Sequence, residues 1–263
     1  MTPVFYLFLL HLSLGLLAAL PLVPARAGVT FFKFSSATAA TLTTAALGLL
    51  YRRFGLAGGP GAPASTAYRA LLLATAALVL LTVLYNRAWH FGWKRLRGPF
   101  LAVALAAGLT AVVLGAPGPV FLASDVTSLL LLGTAASAMI LGHFYLVVLD
   151  LPITALRRLT VGLVAALALR AGVVGLALAG PSQAGYADAR LIAGGLWSPD
   201  GIFVWMRLLF GIAGPLCLVW FIWKTVEIRS TQSATGILYV QLFLVMSGEL
   251  LAQYLSVAAG FPL

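Results

Sequence analysis

Five ionisable side chains fall inside long apolar runs: His11, His143, Arg170, Arg207 and Glu249, with the neutral amides Gln241 and Gln253 for company. An ionisable group in the hydrocarbon of a bilayer is costly unless paired or hydrated, so each marks a functional or pairing position. At 1.5 Å of rise per residue, His11 lies about 12 Å from the N-terminal end of its run. Arg170 and Glu249 come to a similar depth, and Arg207 lies about one and a half turns in. Four ionisable side chains from four segments thus share one half of the membrane. Gln253 and Ser256 follow Glu249 at i+4 and i+7, on one helix face.

Two kinds of chemistry fit this set. Glu249 can pair with Arg170 or Arg207, each neutralising the other's cost, while Arg207 can also reach the headgroups with its guanidinium. The set can instead serve a quinone and its protons. A quinol needs an acceptor for its hydroxyl and a carboxylate or imidazole to take the proton. His11 and Glu249 are the candidates for that work, with Arg170 and Arg207 beside them and Gln253 and His143 as quinone contacts. A single haem b held by His11 and His143 is the other cofactor these residues suggest, because neutral imidazole suits iron. Depth counting separates the two histidines by about 8 Å, which strains such a clamp.

His143 sits in GHFYL, towards the other face of the membrane, and His90 belongs to the aromatic and basic loop WHFGWKRLR. The one cysteine, Cys217, lies in an apolar run and reads as a small packing residue. With no CxxC pair, thiolate-held zinc or iron–sulfur sites are not expected. Walker, HExxH and GxSxG motifs are missing as well.

The elements that position these residues follow from composition. Of 263 residues, 62% are hydrophobic and 8% charged, where a soluble domain carries about a quarter charged. The mean hydropathy is +1.07, more apolar than one soluble core can use. The expected fold is all-α, a polytopic membrane helix bundle forming one integral-membrane domain over 1–263. About twenty apolar residues make a span. Eight segments qualify: 3–23, 29–50, 69–88, 98–116, 125–149, 154–179, 202–226 and 235–258.

Proline and glycine separate the spans: Pro21, Pro24 and Gly28, then GGPGAP within 55–65, Pro117-Gly118-Pro119 and Pro152. Asp125 is expected to cap the fifth span, and the longest loop is 180–201. The first apolar run precedes Ala25-Arg26-Ala27, which resembles a signal-peptidase site. It is long enough to span and has no basic residue before it, so a retained helix is expected. Pro215 is expected to bend the seventh span, whose Trp205, Trp220 and Trp223 read as interfacial anchors. The second span, SSATAATLTTAALG from Ser35 to Gly48, is rich in small and hydroxylated residues that let backbones approach closely. It is expected inside the bundle or against a partner.

The net charge of +10 reflects loop placement, not a nucleic-acid-binding face. Ten Lys and Arg fall at one set of span ends: Arg26, Lys33, Arg87, Lys94, Arg95, Arg97, Arg157, Arg158, Lys224 and Arg229. Four fall at the other: Arg52, Arg53, Arg69 and Arg190. The positive-inside rule makes the end with ten cytoplasmic and puts both termini outside a bacterial-type inner membrane. No sequence repeat relates the two halves.

The plan resembles the quinol-interacting membrane anchors of bacterial oxidoreductases in helix number and scarcity of charge. The resemblance is architectural and carries no residue role. It implies a membrane subunit of an electron-transfer complex, in contact with the lipid bilayer and other membrane or redox subunits. A small-solute or ion transporter, with Arg170 and Glu249 gating a polar path, and a noncatalytic membrane scaffold are the competing expectations.

Overall fold

The computed structural model describes residues 1–55, 65–148, 151–179 and 201–260. These form eight helical segments and no strand. Helix α1 (Thr2–Ala19) runs into a short 3-10 turn, Leu20–Leu22. Then follow α2 (Val29–Phe54), α3 (Ser65–His90), α4 (Lys94–Gly115), α5 (Pro119–Val147) and α6 (Thr154–Ala179). Helix α7 (Gly201–Glu227) contains a π-helical turn at Leu209–Ala213, and α8 is Thr231–Ala259.

Seven of the eight are long and apolar enough to cross a membrane, making this a multi-pass membrane protein. The exception is α2. It is 26 residues long, but its serines, threonines and basic residues lower its apolarity. It lies at the flank of the bundle, not in its interior. Ser35, Ser36, Ala39, Thr43 and Ala46 are buried, whereas Ala37, Thr41, Ala45 and Gly48 face outward. The inward hydroxyls stitch it to its neighbours. Ser13 on α1 donates to the Ala39 carbonyl at 2.8 Å and also meets the Thr43 hydroxyl. Asn86 on α3 donates to the Lys33 carbonyl and to the Ser36 hydroxyl, both at 2.8 Å.

Helices α1 and α5 form the centre: 72% and 67% of their spanning windows are buried, against 22–39% in the other spans. Two glycines permit their approach. A Cβ on Gly133 would lie 2.0 Å from the Gly15 backbone, and one on Gly15 would lie 2.0 Å from the Leu129 carbonyl oxygen. Around this crossing the chain arranges itself in two halves with the same pattern of neighbours. Helix α1 touches α2 and α4, with α3 bridging those two. Correspondingly α5 touches α6 and α8, with α7 bridging them. Because each half has four helices, corresponding helices run in the same direction, as in a parallel repeat. The chain order did not disclose this division.

Arginine and aromatic side chains lock the end that carries most of the basic residues. The Arg97 guanidinium sits 3.7 Å over the Trp89 ring, which stacks at 4.2 Å on Phe32. Such a cation–aromatic sandwich ties α2, α3 and α4 together. The GGPGAP stretch, Asp150 and the loop 180–200 lie outside the described residues.

Candidate functional site

Helix α5 starts at Pro119, with Gly118 as its N-cap, so Asp125 is not a capping residue. Proline at the first helical position fixes φ and lacks only an N–H that would be unpaired anyway. Asp125 therefore lies within the second turn and is only 16% exposed. Its Oδ1 is 3.8 Å from Nε2 of His11 on α1, a charge-pair distance too long for a hydrogen bond.

His11 is fully buried. Its Nδ1 is 2.9 Å from Nε2 of Gln253 on α8. Among the described residues the Gln253 Oε1 has no hydrogen-bond partner, and neither does His11 Nε2. This matters chemically. With the amide nitrogen donating, Nδ1 accepts and His11 carries its proton on Nε2. With the amide turned about, Oε1 accepts from Nδ1–H, and the Nε2 lone pair faces Asp125. Gln253 thus supports either tautomer of His11.

Directly beside this pair is a fully buried ion cluster. Arg170 on α6 donates from Nε to Glu249 Oε1 at 3.0 Å and from Nη2 to Oε2 at 2.8 Å. This is the two-pronged geometry that a planar guanidinium offers a carboxylate. Its Nη1 donates to the Ser124 carbonyl at 2.9 Å, to the Ser124 hydroxyl at 2.7 Å and to the Thr127 hydroxyl at 3.4 Å. Arg207 on α7 donates from Nη2 to Glu249 Oε1 at 2.9 Å. Glu249 therefore bridges both arginines. Arg207 does not extend to the headgroups: its side chain is fully buried, because Glu249 offers it a better-placed anion than the interface does.

The π-turn of α7 makes room for Arg207. Pro215 has no N–H for the carbonyl four residues back, and Gly214 N–H reaches the Leu209 carbonyl, one residue further than in an α-helix. The guanidinium occupies the space over Gly211, where a Cβ would sit 1.7 Å from Nη1. Gly248 meets the same turn from α8, its notional Cβ 2.2 Å from Gly211 Cα. Arg207 Nε and Nη1 have no hydrogen-bond partner among the described residues.

Asp125 opens towards a cavity of about 400 Å³ at the N-terminal end of the bundle. Tyr6, Leu50, Tyr68, Leu71 and Phe121 give it a largely apolar and aromatic wall, with Arg53 at its edge. His11, Asp125, Gln253, Glu249, Arg170 and Arg207 thus form one cluster drawn from α1, α5, α6, α7 and α8. Gln241 is buried in α8 but joins no described hydrogen bond.

His143 stands apart. Its ring is exposed on α5, with Nδ1 3.0 Å from the Tyr239 hydroxyl. From Asp125, the neighbour of His11, the helix rises about 27 Å before it reaches His143. The two histidines therefore cannot hold one iron between them. Counting depth from the inner span ends underestimated their separation because those ends are not level: α5 runs 22 residues past Asp125 to Val147, whereas the first span runs only 11 past His11 to Leu22. Cys217 is exposed on the lipid-facing side of α7 and is not a core packing residue. Trp205 and Trp220 are exposed, as anchors are, and Trp223 Nε1 donates to Glu227 Oε1 at 2.8 Å.

Comparison with protein-family models, curated proteins and solved structures found no match to this chain.

Proposed function

We propose that this chain is the quinone- and proton-handling membrane subunit of an electron-transfer complex in a bacterial-type inner membrane, with both termini outside. One observation carries the reading: an apolar, aromatic-lined cavity of about 400 Å³ with Asp125 in its wall and the fully buried His11 behind that carboxylate. Ligand pockets of this kind pair apolar walls with a few placed polar groups. A quinone ring suits the wall, and its isoprenoid tail suits the surrounding lipid.

Oxidation of a quinol releases two protons and two electrons. In this reading Asp125 accepts a hydroxyl proton, and His11, in the tautomer with a free Nε2, is the next acceptor. Protons leave on the N-terminal side, and the electrons pass to a redox centre carried by another subunit. The outward face of α2 supports membership of a complex, since it offers small and hydroxylated residues where lipid favours branched apolar ones. The Arg170–Glu249–Arg207 cluster holds α6, α7 and α8 in register around the acid–base pair. Glu249, Arg170 and Arg207 are thus positioning residues, and Asp125 and His11 act on the proton.

The test is quinone binding by the purified protein. A short-chain quinone should bind the wild type saturably. Asp125→Asn and His11→Phe should each weaken binding at least tenfold, with the protein still folded at the binding temperature. No saturable binding and no co-purified quinone sinks the proposal. Flux through liposomes that disappears in Glu249→Gln would replace it with the transport reading.

A further inference from the structure

A second, larger cavity lies at the opposite end of the bundle, about 680 Å³ in volume. It opens on the flank between α2, α5 and α8 and includes the turn Ala25–Ala27 that joins α1 to α2. Its walls are apolar, with Phe34, Met139 and Phe144 among them. Phe34 and Val147 are 52% and 73% exposed, so the trough faces the surroundings of the bundle, not its interior. Its polar groups are few: Arg26, Thr30 and the His143–Tyr239 pair. Among the described residues no acidic side chain lines it.

We propose that this trough is a binding site for an anionic glycerophospholipid. Its end carries most of the chain's Lys and Arg, where an anionic leaflet is favoured. Arg26 supplies the cation for a phosphodiester, and the apolar trough supplies the bed for an acyl chain. With the Tyr239 hydroxyl donating to Nδ1, His143 bears its proton on Nε2 and has a donor left for an ester carbonyl or a phosphate oxygen. A cation at the headgroup level, a donor about one turn deeper and an unfilled apolar groove follow the order of groups along a phospholipid. The same features explain why His143 faces outward, an orientation that neither core packing nor the acid–base cluster requires.

The experiment is native mass spectrometry of the delipidated protein in mild detergent, with phosphatidylglycerol, phosphatidylethanolamine, glycerol 3-phosphate or a short-chain quinone added in turn. Phosphatidylglycerol should be retained at least tenfold more than phosphatidylethanolamine, and glycerol 3-phosphate should not be retained. Arg26→Gln, at an exposed position where folding is not at stake, should remove the preference for the anionic lipid. Met139→Trp should fill the trough and lower retention of both lipids. Equal retention of the two lipids by the wild type overturns the proposal, as does an Arg26→Gln variant that keeps the preference. Retention of glycerol 3-phosphate would make the site a soluble-phosphate site. Displacement of the lipid by the quinone would make it a second quinone site, independently of the result at Asp125.

Discussion

At the level of single residues, the Arg170–Glu249–Arg207 cluster is an anion shared between two cations with all three side chains out of contact with lipid and water. Removing one partner of such a group leaves uncompensated charge behind, which destabilises by about 3–5 kcal/mol. Glu249→Gln conserves volume and removes the anion, so it should lower stability by about that amount in denaturation of the purified protein. Adding Arg207→Met to that variant should restore part of the loss, because Glu249 is the one described hydrogen-bond partner of Arg207. An unchanged melting profile in Glu249→Gln would show that the arginines find other partners. By contrast, His11→Phe strands only the neutral Gln253 amide and should cost about 1–3 kcal/mol. That contrast separates the residues that hold the cluster from those proposed to move a proton.

Depth along the chain revealed the ionisable set, because a charge in hydrocarbon is costly wherever it is neither paired nor hydrated. It did not reveal which way each side chain points. Helix α5 is buried on nearly every side, so its apolar pattern has no preferred face. Asp125 was legible only through Pro119: a proline that opens a helix places the acid within its second turn, where it faces the bundle. The position of His143 towards the other face was legible, but its distance from His11 needed the contact of His11 with Asp125.

At the level of elements, glycine decides where helices meet. The crossing of α7 and α8 needs bare backbone at Gly211 and Gly248, and the π-turn gives Arg207 its place over Gly211. Overpacking at such a contact costs about 1–3 kcal/mol. Gly248→Ala should therefore destabilise the protein by at least that range. Gly236→Ala on the same helix, with nothing within 4 Å of its added methyl, should be neutral or slightly stabilising. Thermal unfolding of the two variants side by side checks this. Equal effects would mean that α7 and α8 are not held together at Gly248. Sequence periodicity could place α7 and α8 as spans. It could not pair their glycines, because small residues recur in most of these helices.

For the whole molecule, composition alone dictated a membrane bundle, while its division into two like-ordered halves appears only in the contacts between helices. Charge bias across the ends predicts the orientation. In a Cys217→Ser background, a cysteine replacing Arg52 should react with a membrane-impermeant maleimide in intact cells, and one replacing Arg95 should react only after lysis. The reverse pattern would invert the assignment and move the quinone cavity to the cytoplasmic side.

The order in which the chain is made gives the ion cluster a second consequence. Arg170 and Arg207 lie on α6 and α7, while the carboxylate that neutralises both lies on α8. During synthesis the two cations must enter the membrane before their counter-charge has left the ribosome. A guanidinium at the bilayer centre opposes insertion by about 2.5–3.5 kcal/mol, and Arg207, nearer one end of its span, by less. The nascent α6 and α7 therefore need shelter from the insertion machinery or from the first four helices until α8 arrives. A ribosome stalled before Glu249 would hold a chain whose last spans have no stable home.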